Sequence, residues 1–154
     1  DRNDAKEQLK EWMQDGYYIL MDRYVNSNIA FQCAKFTSQE EKKKLREWIR
    51  EFEFSYNAIP KPDMSLFLDV PFEFTKKKLT QERRGGDRDY LNGKEDIHEA
   101  SLDFQKMVKD EYFSIMESDD SFHRIDCSLL GDSILPATEI HLSIIRLLKA
   151  QKIV

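Results

Sequence analysis

Cysteine is almost missing from this chain: Cys33 and Cys127 are the only two among 154 residues. Two thiols outside any C-x-x-C pair make neither a disulfide framework nor a zinc quartet. They read as partly buried thiols of a reducing compartment, so a cytoplasmic protein is expected. Glycine (5) and proline (4) are scarce too, which excludes collagen-like, linker-like and turn-rich all-β chains. No apolar run approaches the ~18–20 residues of a membrane span, so no membrane partner is expected. Positive charge is not in excess: 24 Lys and Arg stand against 29 Asp and Glu, for a net charge of −5. That is the wrong sign for a general nucleic-acid binder. The start, Asp1-Arg2-Asn3-Asp4, has neither a methionine nor the apolar core of a signal peptide behind it.

What is present suits one folded domain across residues 1–154, with 40% hydrophobic and 34% charged residues. Apolar spacing predicts a helix from Ala5 to Gln14, stopped by Gly16. Tyr17–Met21 is a short continuous apolar run, the pattern of a strand buried on both faces. A short helix is expected over Asn26–Phe36. A longer one follows with Ser38 as N-cap and Glu41 at capping-box spacing; Leu45, Trp48, Ile49 and Phe52 are its expected core face. Met64–Val70 is the clearest strand, and Pro71 opens a helix from Phe72 to about Glu82. The glycine-broken segment from Arg83 to Lys94 reads as a loop. Asp96–Met116 is an amphipathic helix with Ile97, Ala100, Phe104, Met107, Val108 and Tyr112 on one stripe. Phe122–Asp126 makes a third strand, and Pro136–Lys152 a closing helix with Ile140, Ile144, Leu147 and Leu148 inward. Strands separated by helices imply parallel pairing, an α/β fold with an open parallel sheet flanked by helices.

In such sheets ligands gather at the carboxyl ends of the strands. Two predicted strands end in acids there, Asp22 and Asp69. Asp22 is followed by Arg23, and then by Ser27, Asn28, Phe31 and Gln32 on the next helix. An acid beside a guanidinium can hold a metal ion and a phosphate close together. Ser27, Asn28 and Phe31 fall within about one helical turn, so hydroxyl, amide and aromatic face can converge on a planar ligand. The plainer alternative is an ion pair and an N-cap at a strand-to-helix corner. Arg83, Arg84 and Arg88 suit either a lid that closes over phosphates or a solvated basic turn. His98, His123 and His141 read as surface or packing residues.

The segment from Asp22 to Lys35, DRYVNSNIAFQCAK, resembles the DRYxxSxxAxQ segment of thymidylate kinases. Pro62–Val70 is similar to that family's PDLxxxLDV strand. The arginine-bearing loop (83–95), with Asp96 to Glu99 after it, resembles the family's lid, and Ile125-Asp126-Cys127-Ser128 resembles its IDAS-type turn. Asp1-Arg2 also looks like a DR dipeptide of the family. The resemblance covers essentially the whole chain, in order. It implies a P-loop nucleoside monophosphate kinase-like fold and the reaction of ATP with dTMP to give dTDP, with Mg²⁺, by a homodimer. By position it implies that Arg23 grips the dTMP phosphate and that Asp22 helps hold the magnesium. Ser27, Asn28 and Gln32 would address the thymine, Phe31 the deoxyribose, and Arg2 and Glu99 the dTMP side. Arg83, Arg84 and Arg88 would neutralise the transferring phosphoryl group, and Asp126 and Cys127 would lie near the ATP base.

One departure is large. The G-x-x-x-x-G-K-[ST] phosphate loop that the family carries after its first strand occurs nowhere in these 154 residues. The family's first strand lies in the middle of the sheet, between the neighbours equivalent to Tyr17–Met21 and Met64–Val70. The expectation is therefore that this sequence is the C-terminal part of a thymidylate kinase-like domain, with its central strand missing. Two alternatives are a related deoxynucleoside or nucleotide kinase, and a non-catalytic nucleotide-binding module.

Overall fold

A computed structural model describes residues 5–80, 102–130 and 133–154. In chain order the elements are α1 (Lys6–Gln14), α2 (Val25–Cys33), α3 (Gln39–Arg50), a π-helical segment (Glu51–Tyr56), β1 (Ser65–Asp69), α4 (Phe72–Thr80), α5 (Leu102–Met116), β2 (Phe122–Asp126) and α6 (Ala137–Ala150). The class is α/β, as the order of apolar patterns predicts. Contacts divide the chain into two compact units, Asp1–Met64 with Met107–Asp119, and Ser65–Lys106 with Asp120–Val154.

The first unit is helical. Helix α1 ends where Gly16 takes φ +80°. Gly16 N donates to Met13 O at 3.1 Å and Tyr17 N to Trp12 O at 3.0 Å, the paired bonds of a Schellman stop. A methyl group at Gly16 would meet nothing within 4 Å, so only the backbone opposes it. Gly16→Ala is expected to cost about 1 kcal/mol, read as a lower urea midpoint at unchanged slope. Helix α3 starts as its capping spacing predicts, with Glu41 N donating to Ser38 Oγ at 3.4 Å. In α2, Val25, Ile29, Ala30 and Cys33 are buried at helical spacing. Ala30 and Cys33 are small enough to let α3 pack close to this face.

The buried stripe of α3 is not the aromatic one. Trp48 is 59% exposed and Phe52 39%, and they stack in a ladder with Tyr56 at centroid distances of 5.3 and 5.4 Å. The inward positions are Lys42, Arg46, Ile49 and Glu53, spaced i, i+4, i+7 and i+11. Two cations can face inward because Glu111 of α5, only 3% exposed, sits between them. Its carboxylate accepts from Lys42 Nζ at 2.7 Å and Arg46 Nη2 at 3.5 Å. Arg46 also donates to Ser114 O and Oγ, at 3.1 and 3.0 Å. On α5 the buried positions are likewise Val108, Glu111 and Ile115, while Met107 of the expected stripe is exposed.

The expected strand at Tyr17–Met21 does not form. Residues 17–21 have no strand pairing, and Leu20 is 98% exposed. A strand exists through its neighbour's hydrogen bonds, and among the described residues none runs beside this segment.

In the second unit β1 and β2 pair in parallel, from Ser65 opposite Phe122 to Asp69 opposite Asp126. The connection between them carries α4 and α5, the long crossover that parallel pairing requires. Ser65 N donates to Ser121 O and Cys127 N to Asp69 O, prolonging the ladder at both ends. Phe122, Ile125 and Cys127 are buried. Helix α6 packs against β2 with Ile140, Ile144, Leu147 and Leu148 half-buried, and none of its residues is fully buried. Among the described residues no helix is long and apolar enough to cross a membrane. The segments 81–101 and 131–132 lie outside the described residues, and with them the expected lid and the start of the helix from Asp96.

Candidate functional site

The chain turns into α2 through Asp22-Arg23-Tyr24. Arg23 has φ +63°, a left-handed conformation that a residue with a side chain enters only at a cost of about 1–2 kcal/mol. Tyr24 follows as the N-cap residue and offers no side-chain cap. Its hydroxyl donates instead to the carbonyl of Pro60 at 3.0 Å, tying the turn to the segment before β1. The inward stripe of α2 then fixes the rest. With Val25, Ile29 and Cys33 pointing into the core, positions 24, 27, 28 and 31 fall together on the neighbouring face.

That face is concave. Arg23, Tyr24, Ser27, Asn28 and Phe31 line an open recess of about 260 Å³. The Arg23 guanidinium lies over the Phe31 ring, 5.3 Å from its centroid, a cation–π geometry that holds a long side chain beside the recess. The site thus combines a guanidinium, a hydroxyl, an amide and an aromatic face next to a helix N-terminus whose dipole favours an anion. Such a set suits a planar polar ligand that carries an anionic group.

Other expected site residues fall elsewhere. Asp22 is exposed beside the turn. Gln32 is exposed as well, and its Oε1 accepts from Lys35 Nζ at 3.1 Å, so it does not join the recess lining. Asp126 caps its own turn: Oδ1 accepts from Ser128 N at 2.9 Å and Ser128 Oγ at 2.6 Å. Cys127 is fully buried, its N–H given to Asp69 O and its carbonyl accepting from Leu135 N. Burial pushes its thiol pKa up, and the negative charges of Asp126 and Asp69 add to this. Arg2, Arg83, Arg84, Arg88 and Glu99 lie outside the described residues.

Asp69, the second acid expected at a strand end, is 4% exposed and held by Arg124. Arg124 Nε and Nη2 reach Asp69 Oδ2 at 2.7 and 2.6 Å. Sequence spacing did not single out this pair, because Arg124 stands one strand away.

The fold is that of an α/β protein, and one open recess on α2 gathers a guanidinium, a hydroxyl, an amide and an aromatic face. A family model described as thymidylate kinase matches residues 1–134, and the chain belongs to the thymidylate kinase family. It is 29% identical over 128 residues to a thymidylate kinase of Ligilactobacillus salivarius, covering 82% of this chain and 55% of that protein. With a probable thymidylate kinase of Archaeoglobus fulgidus it shares 34% identity over 76 residues, 49% of this chain and 34% of that protein. A thymidylate kinase of Staphylococcus epidermidis is 30% identical over 112 residues, covering 71% of this chain and 51% of that protein. The chain spans about half the length of most curated relatives it matches. No solved structure matches it significantly.

Proposed function

We propose that the protein acts as a thymidylate kinase, transferring the γ-phosphate of ATP to dTMP to give dTDP for dTTP synthesis. The observation that carries this reading is the convergence of Arg23, Ser27, Asn28 and Phe31 on one recess, with Arg23 and Ser27 at the fixed Arg and Ser of the family's DRYxxSxxAxQ motif. In this reading Arg23 binds the dTMP phosphate, where a planar fork of donors matches phosphate oxygens. Ser27 and Asn28 hydrogen-bond the thymine edge, with Gln32 beside them. Phe31 packs on the deoxyribose and disfavours a 2′-hydroxyl by crowding. Arg2 and Glu99 belong to the dTMP side. Arg83, Arg84 and Arg88 spread the charge of the phosphoryl group in transfer, and the turn at Asp126 and Cys127 lies near the ATP base.

Among the described residues no three His, Cys, Asp or Glu side chains converge as a metal cage. A single exposed carboxylate fits magnesium nonetheless, because that ion keeps most of its waters and takes phosphate oxygens as its other ligands. Asp22 is the residue that would hold it, and the ion would neutralise charge between the phosphates. The same reading makes residues 1–154 part of one domain and the protein a cytoplasmic homodimer.

The test is dTDP formation from ATP and dTMP by the full-length protein, with dTMP preferred over UMP. Faster turnover of another deoxynucleoside monophosphate would move the protein to a related kinase. Binding of dTMP with no turnover by the full-length protein would make it a nucleotide-binding module instead.

A further inference from the structure

The carboxyl ends of β1 and β2 put two acids face to face. Asp69 and Asp126 are register partners of the parallel pair, so their side chains leave the same face of the sheet. Like charges so opposed repel. Arg124 stands two residues before Asp126, on that same face, and its guanidinium meets both carboxylates. Nη2 lies 2.6 Å from Asp69 Oδ2 and 3.8 Å from Asp126 Oδ2. The first contact is a hydrogen bond, supported by Nε at 2.7 Å. The second is longer, an attraction between charges rather than a bond. Asp69 is 4% exposed, so the guanidinium is anchored on its inner side and turns its charge toward Asp126. Asp126 divides its oxygens: Oδ2 faces Arg124, and Oδ1 accepts from Ser128 N at 2.9 Å and Ser128 Oγ at 2.6 Å. The orientation that satisfies the arginine is thus the one that closes the turn over residues 126–128. Backbone bonds carry that turn onward, from Cys127 N to Asp69 O and from Leu135 N to Cys127 O.

We infer that Arg124 is a positioning residue of the Asp126–Ser128 turn: anchored on Asp69, it holds the Asp126 carboxylate in the orientation that caps Ser128, and so sets the turn for the ATP base. The inference rests on the proposed function, in which this turn lies near that base. It gives Arg124 no contact with dTMP or the transferring phosphoryl group. Its loss therefore weakens ATP binding and leaves dTMP binding and the chemical step alone.

The experiment compares full-length wild type, Arg124→Gln and Arg124→Lys in steady-state turnover, in ATP titrations and by the amide signal of Ser128. Glutamine keeps a donor for Asp69 and takes away the charge that faces both carboxylates. The expected result is a ~3–10-fold rise in the Kd and KM for ATP, the size of one hydrogen bond, with kcat and the KM for dTMP within about two-fold of wild type. The Ser128 amide signal should move as well, because its acceptor is no longer held. Both carboxylates are reached from one nitrogen. An ammonium can stand in its place, so Arg124→Lys should return ATP affinity to within about two-fold of wild type. Unchanged ATP affinity in Arg124→Gln, an equal rise in both KM values, an unmoved Ser128 signal, or a lysine variant as weak as glutamine overturns the inference. If Arg124→Gln does not fold, the double variant Asp69→Asn/Arg124→Gln carries the test. There the buried carboxylate goes with the guanidinium, while Asp126 still lacks its arginine. Weaker ATP binding with a moved Ser128 signal supports the inference, and wild-type ATP affinity overturns it. A folded wild type that binds ATP but forms no dTDP overturns the proposed function alone, and the Kd for ATP then decides the inference. One that binds no ATP overturns both.

Discussion

Glu111→Ala is expected to lower stability by about 3–5 kcal/mol, the usual cost of removing one partner from a buried ion pair. The carboxylate is 5% exposed, and the two cations it serves, Lys42 and Arg46, are 13% and 14% exposed. Alanine leaves both on the inner face of α3 with no countercharge. Lys42 can extend toward water, but the Arg46 guanidinium is held in place by its bonds to Ser114. For a chain of this size the midpoint of thermal unfolding should fall by on the order of 10 °C. Replacing the whole triad (Lys42→Met, Arg46→Met, Glu111→Leu) should recover most of the loss, because desolvation of three charges disappears with their attraction. The neighbouring thiol gives a second readout. Burial raises the pKa of Cys33, and the Glu111 charge raises it further against Arg46 and Lys42. Removing Glu111 therefore lowers that pKa and loosens the packing around it. Cys33 should react faster with a thiol reagent in Glu111→Ala than in wild type. A loss under about 1 kcal/mol, the range of an exposed ion pair, with unchanged thiol reactivity would show that the triad is solvated.

The same triad marks the boundary of what local sequence signals can carry. Signals held within a few residues were legible. The Ser38–Glu41 spacing located the start of α3, and Gly16 the end of α1. Apolar patterns located β1 and β2, and the DRY segment placed Ser27, Asn28 and Phe31 on one face of α2. What failed depends on a partner distant in the chain. Side-chain polarity alone turns Trp48 and Phe52 inward and Lys42 and Arg46 outward. Nothing local reveals that Glu111, 65 residues beyond Arg46, reverses the choice. Tyr17–Met21 has the composition of a buried strand, yet a strand is made by its neighbour, and composition does not supply one. The left-handed φ of Arg23 was equally hidden, since arginine rarely adopts it.

That backbone angle makes Arg23 the most informative position for function. Arg23→Ala should reduce kcat/KM for dTMP by about 100-fold, because two charge-assisted hydrogen bonds to the phosphate are worth roughly 1.5 kcal/mol or more apiece. Arg23→Lys keeps the charge but loses the planar fork and the stacking on Phe31, so it should recover only part of the loss, to within about 10-fold of wild type. Arg23→Gly separates the side chain from the backbone. Glycine adopts the φ of +63° found here without penalty. This variant should therefore bind dTMP as poorly as alanine, yet be more stable than Arg23→Ala by about 1 kcal/mol in urea unfolding. If glycine and alanine are equally stable, the left-handed turn relaxes once the guanidinium is gone, and the strain belongs to the Arg23–Phe31 contact. If they differ as expected, the turn is imposed by its surroundings, with Tyr24 tied to Pro60 on one side and Val25 locked into the core on the other. The arginine is then held in an unfavourable conformation at the mouth of the recess, where its guanidinium is in place before any phosphate arrives.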